Sequence, residues 1–410
     1  MRTHVAALAI ISVLALGCAG PSAPRSAPVT SSAPVTSGAP SGSPTAAATG
    51  ETTPTLLPYP TFDWRAIGEP AALRDATVRF VRVGSGFVAV GCVLGPETCG
   101  APAIWTSPDG RDWSGPTKLP LLPGELPRAA TAAVAWEDGL VVAGEVGRGD
   151  RIHVAVWLAS DARTFERAPD DASFADASIG NLLELNGRLV AVGAGAYTHY
   201  SGFKAWRSED GITWTLTARD VTDESLPSGV VQVEGGVMAW GPTCSVCVPE
   251  TAFWRSADGI AWTGARRGLE GEFAHATALG VTHAGLVAFG TTGVDPASPA
   301  AWSLPNGAGA WQAHVPPPQP ERTTITTHLL VGHGAVLAGT SYSGDSPTGL
   351  IWLRGPDDVA WPQPITAPGV SVLTVLQYPD RPAELILVGE VDGNGRHVVT
   401  LWSGSVDWAP

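Results

Sequence analysis

The chain has 410 residues, with 49 Gly and 36 Pro, only 15% charged residues and a net charge of −14. That profile suits many short strands joined by tight turns, not long helices. The acidic balance, the absence of any Lys/Arg run, and the presence of only two lysines (Lys118 and Lys204) argue against a nucleic-acid partner, which would need a basic face.

The first element is an export signal over 1–18. Arg2 and His4 form a short polar region, and Val5 to Leu16 an apolar stretch too short to span a bilayer. It ends in "LALGC", which resembles the bacterial lipobox, with Leu16 an unusual residue before Gly17. The resemblance implies diacylation of Cys18 and a lipid anchor on the extracytoplasmic side of the membrane. Plain secretion after cleavage near Ala19 is the alternative. Two acyl chains hold a protein on a membrane where one binds only marginally.

Residues 19–58 are Ser, Pro, Ala, Thr and Gly with almost no large apolar side chain. Burial there cannot offset chain entropy, so the segment is expected to be a disordered tether. Fully extended, it reaches on the order of 100 Å.

From 59 to 410 one phrase recurs: "IWTSPDGRDWSG" (104–115), "AWRSEDGITWTL" (205–216) and "FWRSADGIAWTG" (253–264). Its leading Trp falls at 105, 157, 206, 254, 302, 352 and 402, with steps of 48 to 52 residues. A second aromatic follows at Trp113, Phe165, Trp214, Trp262, Trp311, Trp361 and Trp408, and an orphan copy, Trp64, precedes them all. Upstream of each leading Trp lies a Gly-bounded apolar run, such as "GFVAVG" (86–91) or "GLVAFG" (285–290), and before that another apolar segment. Each unit therefore reads as four short strands, a to d, with b covered on both faces and an Asp-Gly turn between c and d. Gly there takes positive φ without steric cost, and Asp accepts turn amides. Seven units of about 50 residues predict an all-β, seven-bladed β-propeller of four-stranded blades.

The repeated phrase resembles the Asp-box (BNR repeat) of sialidase-like propellers in a shortened form, and it decays to "ASDARTF", "LPNGAGAW" and "GPDDVAW" in other copies. A kelch propeller is less suited, since the paired glycines occur only at Gly235-Gly236. The resemblance implies a fold shared by glycosidases, receptor ectodomains and assembly factors, so it does not fix an activity. A sialidase would need three arginines clamping a carboxylate and a Tyr–Glu nucleophile pair. "VRFVRVG" supplies Arg79 and Arg82 without the family's Arg-Ile-Pro signature, and the late blades offer only Tyr342 and Tyr378. The expectation is a non-catalytic propeller that binds a protein or glycan, with a sialidase-type glycoside hydrolase as the alternative.

No phosphate loop or His-Glu-x-x-His motif occurs, and "EVDGNGRH" (390–397) lacks the spaced carboxylates of a calcium loop, so no cofactor or metal is expected. Four cysteines form two local pairs, Cys92 with Cys99 and Cys244 with Cys247, expected as disulfides in an exported chain. Their blades lie on nearly opposite sides of a ring, which rules against one shared zinc; a redox role for "CSVC" is a further alternative. The d–a and b–c connections gather at one mouth of the channel. There blade 2 offers Arg148, Asp150, Arg151 and His153, and blade 3 offers Tyr197, His199, Tyr200 and Lys204, a mixture of cations and aromatic faces suited to sugars or acidic groups. The protein is expected to act as a monomer. The final unit, "LWSGSVDWAP", leaves little length for a strand d, whereas "FDWRAIGEP" reads as a strand d without a strand c. The segment near Phe62 to Ile67 is therefore expected to complete the seventh blade.

Overall fold

The computed structural model describes residues 61–62, 65–95, 98–161, 163–195, 202–219, 227–243, 250–266, 268–282, 285–293, 298–305, 307, 309–314, 323–331, 334–343, 346–354, 365–378, 381, 383–393 and 396–407. The chain divides between Leu57 and Pro58, and all of these residues belong to the second unit. They form seven four-stranded antiparallel blades in a ring. Trp64, Trp361 and Trp408 lie outside the described residues.

Blade 1 runs Ala76–Val83, Gly86–Leu94, Cys99–Ser107, Ser114–Lys118, and its four strands pair in that order. Blades 2 to 6 repeat the meander, beginning at Leu126, Ala177, Gly229, His275 and Thr323. Blade 7 contributes Val370–Gln377, Glu384–Gly393 and Arg396–Asp407. Its outer edge comes from the other end of the domain. Thr61 and Phe62 pair with Asp407 and Val406, and Arg65, Ala66 and Gly68 pair with Ser403, Trp402 and Leu401. A strand from the start of the domain thus covers the edge that the last strand would otherwise leave unpaired, as the truncated final unit predicts.

The periodic tryptophans sit between blades. Trp157 packs with Val88, Val90 and Ile104 of blade 1, Trp206 with Val141 and Val156 of blade 2, and Trp302 with Met238 and Phe253 of blade 4. Trp105 closes the ring against Ile386, Val388 and Leu401 of blade 7. Each leading Trp therefore faces the preceding blade, which is why the sequence spaces them by one blade each. Three of their indole N–H groups follow a common rule, whereas that of Trp105 is buried without a partner. Trp157 donates to Pro120 O (2.7 Å), Trp206 to Ser173 O (2.9 Å) and Trp302 to Glu270 O (2.9 Å), all in the connection that enters the blade.

The Asp-Gly turns are three copies of one hydrogen-bonded loop. Asp210 Oδ1 accepts the Ile212 and Thr213 amides (2.8 and 2.7 Å) and the Ser208 hydroxyl (3.0 Å), while Trp214 Nε1 donates to Gly211 O (3.1 Å). Asp109 and Asp258 repeat the pattern, and Asp161 keeps its amide half with Arg163 and Thr164. Gly110, Gly211 and Gly259 have φ of +70, +73 and +74°. A β-carbon on Gly259 would lie 2.6 Å from Val190 of blade 3, and one on Gly110 lies 2.7 Å from Ile386 of blade 7. The turn glycine is thus also an inter-blade contact.

The glycines bounding each apolar run have a second cause. A β-carbon at Gly193 or Gly290 would fall 1.8 Å from Ser178 O or His275 O on the innermost strand. That strand shifts register nearby, at Ile179/Asn181 and Ala276/Ala278, and presses its backbone onto the second strand. Gly is the only residue that fits there.

Candidate functional site

In an antiparallel meander the d–a and b–c connections share one end of the ring. On blade 2 that end is held by four charged groups. Glu125 enters from the connection after blade 1 and is fully buried, with Oε2 accepting the Leu122 amide at 2.7 Å. Its Oε1 pairs with Arg148 and Arg167, each at 3.1 Å, and both arginines also reach Asp170 at 2.7 and 2.9 Å. Arg167 is itself buried and lies over the Trp157 ring, 5.7 Å from its centroid. The fourfold arrangement leaves no charge of the set without an opposite one.

This placement accounts for Arg148, one of the residues that the sequence singles out for a ligand. Its guanidinium is engaged by Asp170 and Glu125. Arg151 stands opposite it in register and is exposed, and half-buried His153 follows on the same strand face. That face also carries Ala155 and Trp157, which pack on blade 1. Arg148, Arg151 and His153 therefore look toward blade 1, not toward blade 3, where Tyr197, His199 and Tyr200 were expected to join them. Those three lie outside the described residues, as do Cys244 and Cys247. In blade 2 the b–c connection is the two-residue turn Gly149-Asp150, with Gly149 at φ +62°.

Lys204 is not a free cation. Its Nζ donates to the carbonyls of Asp176 (2.9 Å) and Ala175 (3.4 Å), and burial, aided by Arg219, lowers its pKa. It ties its strand to the turn that enters blade 3. Cys92 and Cys99 are joined by a disulfide with their Cα atoms 5.7 Å apart, spanning the b–c connection of blade 1. At blade 5, burial holds His275 below the ordinary histidine range. A cavity of about 180 Å³ is lined by Glu250, Thr251, Leu269, Gly271 and Ala274. A larger depression of about 520 Å³ lies on the opposite face, between the turns at Asn186 and Gly235.

Arg79 is the group that sequence reasoning passed over as a candidate. It projects from the innermost strand of blade 1 and bonds to blade 3, with Nη1 donating to Gly180 O (2.6 Å) and Nη2 to Asn181 Oδ1 (3.0 Å). Asn181 is buried. A guanidinium only donates, so the amide oxygen must be the atom that faces it. Nearby, Ser178 donates to Glu145 Oε1 at 2.6 Å, linking blades 2 and 3. No sequence motif marks Arg79; the signal was an Arg within the β-branched run "TVRFVRV" of an innermost strand.

No protein-family profile matches the chain, and no curated protein matches it. Solved structures do. A YCF48 protein bound to a D1 peptide superposes with a TM-score of 0.53 at 13% identity, covering 83% of this chain and 96% of that one. An α-L-arabinofuranosidase from Fusarium graminearum, in complex with an iminosugar inhibitor, gives 0.42 at 11% identity, covering 82% and 96%. The first likeness, at so low an identity, is one of fold.

Proposed function

We propose that this chain is an extracytoplasmic lipoprotein, anchored through Cys18 and carried on the 19–58 tether, whose monomeric propeller binds a segment of another protein without chemistry of its own. The observation that carries the non-catalytic reading is the state of the three carboxylates gathered at blade 2. Glu125, Glu145 and Asp170 are each occupied by a neighbouring Arg or Ser side chain, whereas general acid–base work on a glycoside needs two available carboxyl groups flanking the substrate. The fold shared with a propeller that has been seen with a peptide supports a protein ligand over a glycan.

Two measurements test this reading. Cys18→Ser should move the protein from the membrane fraction to the soluble one, and native protein with an unmodified Ala19 N-terminus would refute the anchor. The purified chain should bind members of a peptide array and turn over no substrate in a fluorogenic glycoside panel. Turnover there would establish the sialidase-type or another hydrolytic alternative.

A further inference from the structure

We infer that Arg79 receives a carboxylate of an acidic peptide in the propeller channel; this names the ligand chemistry of the binding function proposed above and rests on it. The argument is one of charge and geometry. Arg79 crosses from the innermost strand of blade 1 to that of blade 3, past the intervening blade 2. Both acceptors it reaches, the Gly180 carbonyl and the Asn181 amide oxygen, are neutral. Among the described residues no carboxylate pairs with it, in contrast to Arg148 and Arg167, which share Glu125 and Asp170. Desolvation by the surrounding strands lowers its pKa, while the side chain itself stays exposed to the channel.

The two bonds to blade 3 fix the plane of the guanidinium and leave other N–H groups for a ligand, and the side chain keeps solvent exposure through the channel. A planar, pre-oriented guanidinium matches the two oxygens of a carboxylate. A single cation also suits a single negative charge. A polyanion would meet the −14 net charge of the chain without further cations to offset it. Asn181 acts here as a positioning residue, through Arg79.

The test uses the full chain and fluorescence anisotropy of two labelled hexapeptides with blocked termini, one with a single glutamate among five glutamines and the other hexaglutamine, at matched ionic strength. The glutamate peptide should bind and hexaglutamine should not. Arg79→Gln should weaken binding of the glutamate peptide by about tenfold or more. Asn181→Asp places a carboxylate beside Arg79 within the protein. It should raise the melting temperature and also weaken binding of the glutamate peptide, a pair of effects that a merely structural Asn181 would not produce. Equal binding of the glutamate peptide to the wild type and to Arg79→Gln, both folded by circular dichroism, would overturn the role of Arg79 while leaving peptide binding intact. Binding of neither peptide, together with an Arg79-dependent rise in melting temperature with sodium glucuronate, would overturn the peptide and point to a sugar acid.

Discussion

Ala66, near the start of the propeller, stands directly opposite Trp402, near its end. The last strand carries twelve residues, Arg396–Asp407, and the partner for its outer edge is Thr61–Phe62 and Arg65–Gly68. Removing residues 59–68 should therefore destabilise the whole ring and not merely trim a tail. A chain beginning at Glu69 is expected to melt on the order of 5 °C or more below one beginning at Pro58. Equal melting temperatures in calorimetry would show that the strand is dispensable.

The blade 2 ion cluster predicts a difference between its members. Glu125→Ala leaves buried Arg167 with only the half-exposed Asp170, and should cost about 3 kcal/mol in urea unfolding. Arg148→Ala, at a position partly open to water, should change stability far less. A larger loss from Arg148 than from Glu125 would contradict the view that Glu125 organises the cluster.

The inner glycines should tolerate no side chain. Gly290→Ala puts a β-carbon 1.8 Å from His275 O, a backbone atom that cannot swing away, so the variant should lose about 3 kcal/mol or fail to fold. Gly149→Ala meets nothing within 4 Å and is strained only by its φ of +62°, so about 1 kcal/mol is expected. Similar losses at both sites would contradict the close approach of the inner strands.

Acid should loosen the c–d turns. The Ile260 and Ala261 amides hold the Asp258 carboxyl below its ordinary value, and the Thr164 and Arg163 amides do the same for Asp161. A folded-state pKa below the unfolded one gives stability that is present above the unfolded value of about 3.9 and is lost as pH falls through the lowered one. Thermal stability should therefore drop below about pH 4, and Asp210→Ala should cost about 1 kcal/mol at pH 7. A melting temperature that stays flat down to pH 2.5 would show that these turns add little.

The parts of this structure that were legible in the sequence are those set by short-range, repeated causes. The Trp spacing announced the blades because each leading Trp fills the same gap, and the Asp-Gly pair announced its turn because its bonds span only two or three residues. The closing strand was legible from the orphan "FDWRAIGEP" and the short final unit. The mouth was not, because its contacts join distant positions. Arg79 and Asn181 are 102 residues apart, and Arg148 meets Glu125 only through the connection that enters blade 2. Strand alternation decided that Arg148, Arg151 and His153 look toward blade 1, and that alternation depends on a turn too short to be recognised within "GEVGRGDRIHV".

The pairing of Thr61 with Asp407 also sets an order of events in folding. Each internal blade can collapse as soon as its own 50 or so residues are available, since its strands meet through local hairpins. The strands at Thr61–Phe62 and Arg65–Gly68, among the first of the propeller to be made, have no partner until nearly the whole domain has followed them. Ring closure is therefore the contact of greatest sequence separation, the one that loop entropy delays most. Until it forms, the incomplete ring presents an open strand edge and the apolar faces that meet at Trp105 and Ile386, so the last step of folding is also the one that shields the chain from pairing with another copy of itself.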